Sequence, residues 1–230
     1  MDSVKSFFDS FKEFVWDIVG YVLPGSYLLV LLSICVNEHL FIKIKIILKT
    51  EDFNLYIFLL GSYLLGYIVY GLSILKEKKL GNKSYMKKIE NSIYNRKSIN
   101  WAREILLKKF TYVNIDEDLS SASLRDLRSL VMSFIPEADQ KIYTFTFRSD
   151  ISNNVANISL LLGVFGIFSC IINAINSAFL FFNTGISFVI FYICLIVSYY
   201  LLIQTRNRFY AISMSVPFSI FTAKNLNNEA

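Results

Sequence analysis

The chain has 230 residues and a net charge of +5, and 54% of its residues are hydrophobic whereas only 18% are charged. Soluble domains average about 25% charged residues, so the composition argues against an ordinary soluble protein and favours a membrane protein. The sequence has one histidine, three cysteines within predicted apolar spans and no glycine-rich phosphate loop. It therefore predicts no catalytic residue, metal site or cofactor, and it argues against an enzyme.

Residues 1–17 are predicted to form an amphipathic helix. Acidic residues accompany the lysines at this end, unlike the basic start of a secretory signal. Phe7, Phe8 and Phe11 lie on one helical stripe, and the charged residues lie largely off it. A helix of this kind lies in the headgroup layer of a bilayer or packs on the protein's own cytoplasmic domain, and the pattern is compatible with both.

Residues 18–75 are predicted to form a first transmembrane hairpin. Two uncharged runs, Ile18–Val36 and Phe53–Leu75, are each long enough to cross a bilayer as a helix. Pro24 is expected to kink or break the first of these helices, and Gly25 to loosen it further.

Residues 76–150 are predicted to form a basic helical domain in the cytoplasm. A helical pattern covers 84–110, and a second one follows Ser121 or Ser123, either of which is a suitable N-cap. Pro136 ends that second helix or opens the next one. The domain has few apolar positions and therefore a small core, which neighbouring subunits would help to bury.

The charge of this domain is unevenly divided. Residues 76–110 have a net charge of +8 and residues 111–150 a net charge of −3. Basic side chains interleaved with aromatic rings bind phosphate-rich or single-stranded nucleic-acid ligands. We therefore predict a nucleotide or oligonucleotide site formed by Lys87, Lys88, Arg96, Lys97 and Trp101. Two alternatives remain open: the charges contact anionic lipid headgroups and hold the topology, or they pair with the acidic half.

Residues 151–205 contain no charged side chain and are predicted to form a second transmembrane hairpin. About 55 residues are far too many for one span at 1.5 Å per residue. We place helices at 152–175 and 184–204, joined by a polar turn. Gly163 and Gly166 are expected to allow close approach between helices. The fold class is thus an all-α integral membrane protein with about four transmembrane helices in two hairpins and a helical cytoplasmic insert.

A polar band marks the start of the third span. Asn153 and Asn157 are four residues apart, as are Asp150 and Asn154, so the four side chains lie along neighbouring rows of one helix. Polar residues at such positions face a bundle interior or a water-filled path. We predict a pore lining formed by Asp150, Asn153, Asn154 and Asn157. The alternative is a helix end that emerges into water and bonds to neighbouring helices.

The distribution of Lys and Arg predicts the orientation. With both termini in the cytoplasm, 20 of the 23 Lys and Arg residues lie inside and only Lys43, Lys45 and Lys49 lie outside. The positive-inside rule strongly prefers that arrangement. Residues 206–230, after the fourth span, are then a cytoplasmic tail.

Two apolar motifs support a resemblance to a known family. The opening DIVGYVLPG at 17–25, the GSYLLGY of the second span at 61–67 and the basic insert before a second hairpin resemble membrane effectors of bacterial antiphage defence, of the Hailong and Kiwa types. The resemblance implies a homo-oligomer in the bacterial cytoplasmic membrane, such as a tetrameric channel in contact with membrane lipids. A nucleotide or short oligonucleotide made by a partner enzyme would open it and depolarise the cell, causing abortive infection.

A second class of function is compatible with the same features. A non-conducting membrane scaffold or sensor would use the basic domain to recruit a cytosolic partner. The polar band distinguishes the two, because only a channel needs it around a shared axis.

Overall fold

The computed structural model of the chain describes residues 2–37, 55–79, 83–109, 122–135, 139–175 and 181–226. Within these ranges the chain forms the helices α1 (Asp2–Cys35), α2 (Leu55–Lys79), α3 (Lys83–Tyr94), α4 (Lys97–Lys109), α5 (Leu124–Ser133), α6 (Asp139–Ile175) and α7 (Ile186–Leu226). Of these described helices, α1, α2, α6 and α7 are long and apolar enough to cross a bilayer. The prediction of an all-α membrane protein with four spans is confirmed.

The chain folds as two compact units. The first unit comprises residues 1–76 and 150–204, and the second comprises residues 77–149 and 205–230. The helix α6 belongs to the second unit up to Ser149, and α7 belongs to the first unit up to Gln204. Both helices therefore continue without interruption from one unit into the other.

The helices α1 and α2 of the first unit are in backbone contact. A side chain at Gly25 would collide with the carbonyl of Ser62, and one at Gly66 would collide with the carbonyl of Tyr21. Ser26 donates a hydrogen bond to the hydroxyl of Ser62 at 3.1 Å. Because small residues are what allow two backbones to come this close, glycine is required at both positions.

Pro24 does not break the first span. The helix α1 runs from Asp2 through the fully buried Pro24 to Cys35. The predicted interfacial segment 1–17 and the first span are therefore one helix. The side chains of residues 2–14 lie outside the described part of the chain, and their amphipathic stripe stays a prediction.

The helices α6 and α7 form an antiparallel hairpin held close by two glycines. A side chain at Gly163 would lie 2.8 Å from Ile196, and one at Gly166 would collide with the ring of Tyr192. Gly185, in the turn before α7, has a φ of 144°, which residues with a side chain rarely adopt. The predicted close approach at Gly163 and Gly166 is confirmed.

The turn before α7 also closes the end of α1. The side-chain amide of Asn183 donates to the carbonyls of Ile34 at 2.9 Å and Val36 at 3.3 Å, and its backbone N–H donates to Cys35 at 2.7 Å. The hydroxyl of Tyr192 donates to the Asn183 carbonyl at 2.9 Å. These bonds satisfy carbonyls that a helix C-terminus leaves without partners.

The core of the second unit is completed by the end of α7. Residues 206–230, which we predicted as a cytoplasmic tail after the fourth span, are helical to Leu226 and belong to this unit. The buried core draws on five helices and on the second residue after α5. In chain order its residues are Ile93; Ile99, Ala102 and Leu106; Leu124, Leu127 and Val131; Ile135; Ile142; and Met214, Phe218 and Phe221. The apolar side chains that the insert lacks thus come from the same chain.

Ser123 is the N-cap of α5. Its hydroxyl accepts a hydrogen bond from the backbone N–H of Asp126 at 3.3 Å, which satisfies one of the free donors of a helix start. Of the two predicted caps, Ser123 is therefore the one used. Ser121 and Pro136 lie outside the described residues.

Candidate functional site

Asn157, in the predicted polar band, joins α6 to α2. Its Oδ1 accepts a hydrogen bond from Nζ of Lys76 at 2.7 Å, and its Nδ2 donates to Oγ of Ser73 at 2.9 Å. The side chain is half-buried. Both polar atoms of the amide thus have partners within one chain, as the interhelical alternative requires.

The other members of the band differ in exposure. Asn154 is only 3% exposed, whereas Asn153 is half-buried and Asp150 is exposed. Within the described part of the chain, the Asn153 amide makes no hydrogen bond. Asp150 and Asn153 are therefore accessible in a single chain, whereas Asn154 is buried and Asn157, half-buried like Asn153, is hydrogen-bonded to α2.

Lys76 connects three of the long helices. It lies near the end of α2, it donates to Asn157 on α6, and its ammonium lies 4.9 Å from the ring centroid of Tyr199 on α7. Attraction between a cation and an aromatic face contributes about 0.5–1 kcal/mol at exposed sites and more when water is excluded. Among the described residues, no carboxylate pairs with this ammonium.

An apolar groove leads away from Lys76. It has a volume of about 480 Å³ and is lined by side chains of α1, α2 and α6. Its polar lining consists of Ser73, Lys76 and Asn157. The remaining lining is apolar and comprises Leu28, Ile68, Val69, Leu72, Ile158, Leu160, Leu161, Val164 and Phe165.

The predicted ligand residues lie on α3, on α4 and in the turn between them. Lys87 and Lys88 are exposed on α3, Arg96 is exposed in the turn, and Lys97 and Trp101 are exposed one helical turn apart on α4. Trp101 is 50% exposed, although it is a large aromatic residue. In the described part of the chain, none of the five side chains has a polar partner. They are available to a ligand.

Arg103 is a further cation of this region that sequence reasoning missed. Its guanidinium carbon lies 4.0 Å from the ring centroid of Tyr94. Its Nε and Nη2 are buried and have no hydrogen-bond partner among the described residues, and burial lowers the pKa of the guanidinium. Buried donors normally have partners, so these two donors of Arg103 are exceptional. In the sequence, only its position two residues after Trp101 could have identified Arg103 as part of this region.

A polar network connects α3, α5 and α7 in the second unit. Oε1 of Glu90 accepts from the hydroxyl of Tyr210 at 2.7 Å and from Nε of Arg125 at 3.1 Å. The Arg125 side chain is 68% exposed, so its ion pair contributes little by itself. The bond from Tyr210 is shorter and half-buried, and it fixes α3 to the part of α7 that lies beyond the apolar span.

The search for metal-binding groups and the comparisons with known proteins gave no further information on this site. The described residues contain no group of three His, Cys, Asp or Glu side chains that could hold a metal ion. Comparison of the chain with protein-family models, with curated proteins and with solved structures found no match.

Proposed function

We propose that the chain is an oligomeric membrane effector, a ligand-gated ion channel or pore controlled through its second unit by a nucleotide or oligonucleotide. In this proposal it lies in the bacterial cytoplasmic membrane with both termini inside, and its opening dissipates the membrane potential. The resemblance to membrane effectors of antiphage defence supports that biological role.

The observation that carries the proposal is the continuity of α6 and α7. The helix α6 has 37 residues and α7 has 41, which correspond to about 56 Å and 62 Å at 1.5 Å per residue. The hydrocarbon core of a bilayer is about 30 Å thick. In this proposal each helix extends beyond the bilayer, and residues 139–149 of α6 and 205–226 of α7 belong to the second unit. A change in the packing of that unit would reach the spans through two unbroken helices.

The second unit has the chemistry to sense an anionic ligand. Five accessible basic or aromatic side chains lie on α3, on α4 and in their turn, and the guanidinium of Arg103 on α4 stacks on Tyr94 of α3. Lys and Arg attract phosphates, and an exposed indole stacks on a base. The network of Glu90, Tyr210 and Arg125 holds this region on α7. Ligand binding to α3 or α4 would thus act on α7.

A conducting form requires several copies. Four helices are too few to enclose a wide hydrated path, so the wall would be built by the same helix from each subunit. Asp150 and Asn153 are the accessible members of the polar band, and rings of carboxylates and amides favour cations. Asn154 and Asn157 would join the wall only if α6 rotated and Asn157 released Ser73 and Lys76.

The second candidate function is a non-conducting scaffold or sensor. The internal hydrogen bonds of Asn157 and the burial of Asn154 favour it, because these residues already have structural roles in one chain. The exposed side chains on α3 and α4 would then recruit a protein or nucleic-acid partner.

Membrane potential in cells that overexpress the chain distinguishes the two functions. We expect the wild-type chain to depolarise bacteria that also express an enzyme producing short oligonucleotides, measured with a potential-sensitive dye. We expect Asn153→Leu to reduce the effect, because it removes an accessible polar group from α6. Lys79→Gln, on an exposed residue of α2, is the matched control and should behave as wild type. Correctly inserted wild-type protein that leaves the potential unchanged would favour the scaffold.

A further inference from the structure

The groove of the first unit is apolar along most of its length and has its polar groups at one end. Ile68, Leu72, Leu161 and Val164 line it and are each about half exposed. The polar groups are Ser73, Lys76 and Asn157. This arrangement matches an amphiphile that has an apolar chain and a polar head.

The length of the groove fits part of an acyl chain. From Asn157 to Phe165 the lining follows eight residues of α6, which is about 12 Å along the helix axis. Such a length accommodates much of one acyl chain. Because both α2 and α6 are long enough to cross a bilayer, the groove lies along two spans and is open to lipid.

The charge at the head of the groove selects the kind of amphiphile. Nζ of Lys76 donates to Asn157 at 2.7 Å and lies over Tyr199, which fixes the ammonium at this point. An ammonium has three N–H donors, and no carboxylate among the described residues takes one of them. Since Asn157 and Tyr199 are uncharged, the positive charge of Lys76 has no counter-charge from the described chain.

Lys76 also has the right position for a lipid phosphate. It is the last residue of the apolar part of α2, where a lysine reaches the headgroup layer of a bilayer. We propose that the groove is a binding site for an anionic phospholipid, with the phosphate on Lys76 and one acyl chain between α2 and α6. The proposal holds whether or not the chain conducts ions.

A lipid in this groove has a consequence for the channel. The acyl chain would cover the face of α6 that contains Asn157, Leu161 and Val164. A water-filled path along that same face requires the lipid to leave. If the chain is a channel, bound lipid and an open pore at this face exclude each other, and anionic lipid stabilises the closed form.

Brominated lipids test the site. A tryptophan placed at Leu161, in a chain whose natural Trp16 and Trp101 are replaced by Phe, reports on lipid in the groove through quenching. The protein is reconstituted in phosphatidylcholine vesicles containing a small fraction of phosphatidylglycerol, with bromine on one lipid or the other. We expect phosphatidylglycerol to be enriched at the probe about fivefold over its bulk fraction. This is the enrichment expected from the attraction between one lysine and an anionic headgroup.

Two charge variants identify the source of the enrichment. Lys76→Gln removes the charge but keeps a polar side chain beside Asn157, and it should abolish the enrichment while brominated phosphatidylcholine still quenches. Lys79→Gln removes an exposed lysine of the same helix that does not line the groove, and it should leave the enrichment unchanged. Inorganic phosphate in excess should not compete, because it has no acyl chain.

Three results would overturn the proposal. Quenching by each brominated lipid in proportion to its bulk fraction, in the protein that keeps Lys76, would show a surface that does not select anionic lipid. Enrichment that survives Lys76→Gln would place its cause elsewhere. Protection of the probe from both brominated lipids would show that the groove is covered by protein, such as a second copy of the chain. Native mass spectrometry of the same variants without the introduced tryptophan is a second readout. We expect the wild-type and Lys79→Gln proteins to retain phosphatidylglycerol and Lys76→Gln to lose it.

Discussion

Nε of Arg128 donates a hydrogen bond to the backbone carbonyl of Ser213 at 3.2 Å. In a regular helix that carbonyl would accept from the N–H of residue 217, but residue 217 is a proline within α7 and has no N–H. The arginine on α5 therefore replaces the missing donor on α7. This bond allows an uninterrupted helix to contain a buried proline and still enter the core of the second unit.

Arg128→Met is expected to destabilise the second unit by about 1–3 kcal/mol, because it leaves a buried carbonyl without its partner. The same change in a Pro217→Ala chain should cost less, since alanine restores the N–H that the Ser213 carbonyl lacks. Thermal unfolding of the four proteins in detergent measures the coupling between the two positions. Equal costs of Arg128→Met in the two backgrounds would show that the arginine acts through its other contacts.

Gly66→Ala is expected to destabilise the contact between α1 and α2. The added methyl group would collide with the backbone carbonyl of Tyr21, and overpacking of this kind costs about 1–3 kcal/mol or more. Gly71→Ala is the matched control on the same helix, because a Cβ there has nothing within 4 Å. It should be neutral or slightly stabilising. The melting temperatures of the purified variants test this prediction. Equal decreases in melting temperature for Gly66→Ala and Gly71→Ala would contradict the close contact between α1 and α2.

Binding of a labelled oligoadenylate to the purified chain should depend on Arg103. Arg103→Lys keeps the charge but loses the planar donors, and we expect binding about tenfold weaker. Charge reversal at Lys87 and Lys88 should also make the binding affinity less dependent on salt concentration. The variant neutralises fewer phosphates, so its binding releases fewer counterions. Arg208→Glu is the control, since it reverses an exposed charge on α7 outside this region. Loss of binding in that control alone would exclude the α3–α4 region as the site.

Much of the fold follows from local patterns. Uncharged runs predict four spans because a bilayer tolerates no unpaired backbone group. A serine cap and the close approach at Gly163 and Gly166 also follow from residue type and spacing, although the sequence left Ser121 and Ser123 open as the cap. The last helix extends to Leu226, beyond the end at residue 204 that we predicted. Arg206 and Arg208 mark where the apolar run ends, but the helix continues past them. The pattern of Met214, Phe218 and Phe221 was the signal of a continuing buried helix.

The candidate site was less predictable because it depends on pairs of residues from distant parts of the sequence. Asn157 was identified as a polar residue that avoids lipid, but its bonds to Ser73 and Lys76 depend on how α2 and α6 are placed together. Gly25 was interpreted as a source of flexibility, whereas its contact with Ser62 gives it a packing role. Arg103 was one of many cations, and only its stacking on Tyr94 and its buried donors set it apart.

Reversal potentials in planar bilayers test the central claim, that several copies of α6 surround a ligand-gated ion path. The purified chain is recorded in asymmetric salt with and without short oligoadenylate, and Asp150→Lys is compared with Lys79→Gln. We expect cation-selective currents that rise when the ligand is added. In Asp150→Lys the selectivity should shift toward anions, because the ring of charge is reversed. In Lys79→Gln the reversal potential should not change. No current from an inserted oligomer, or a reversal potential that Asp150→Lys leaves unchanged, would contradict the central claim.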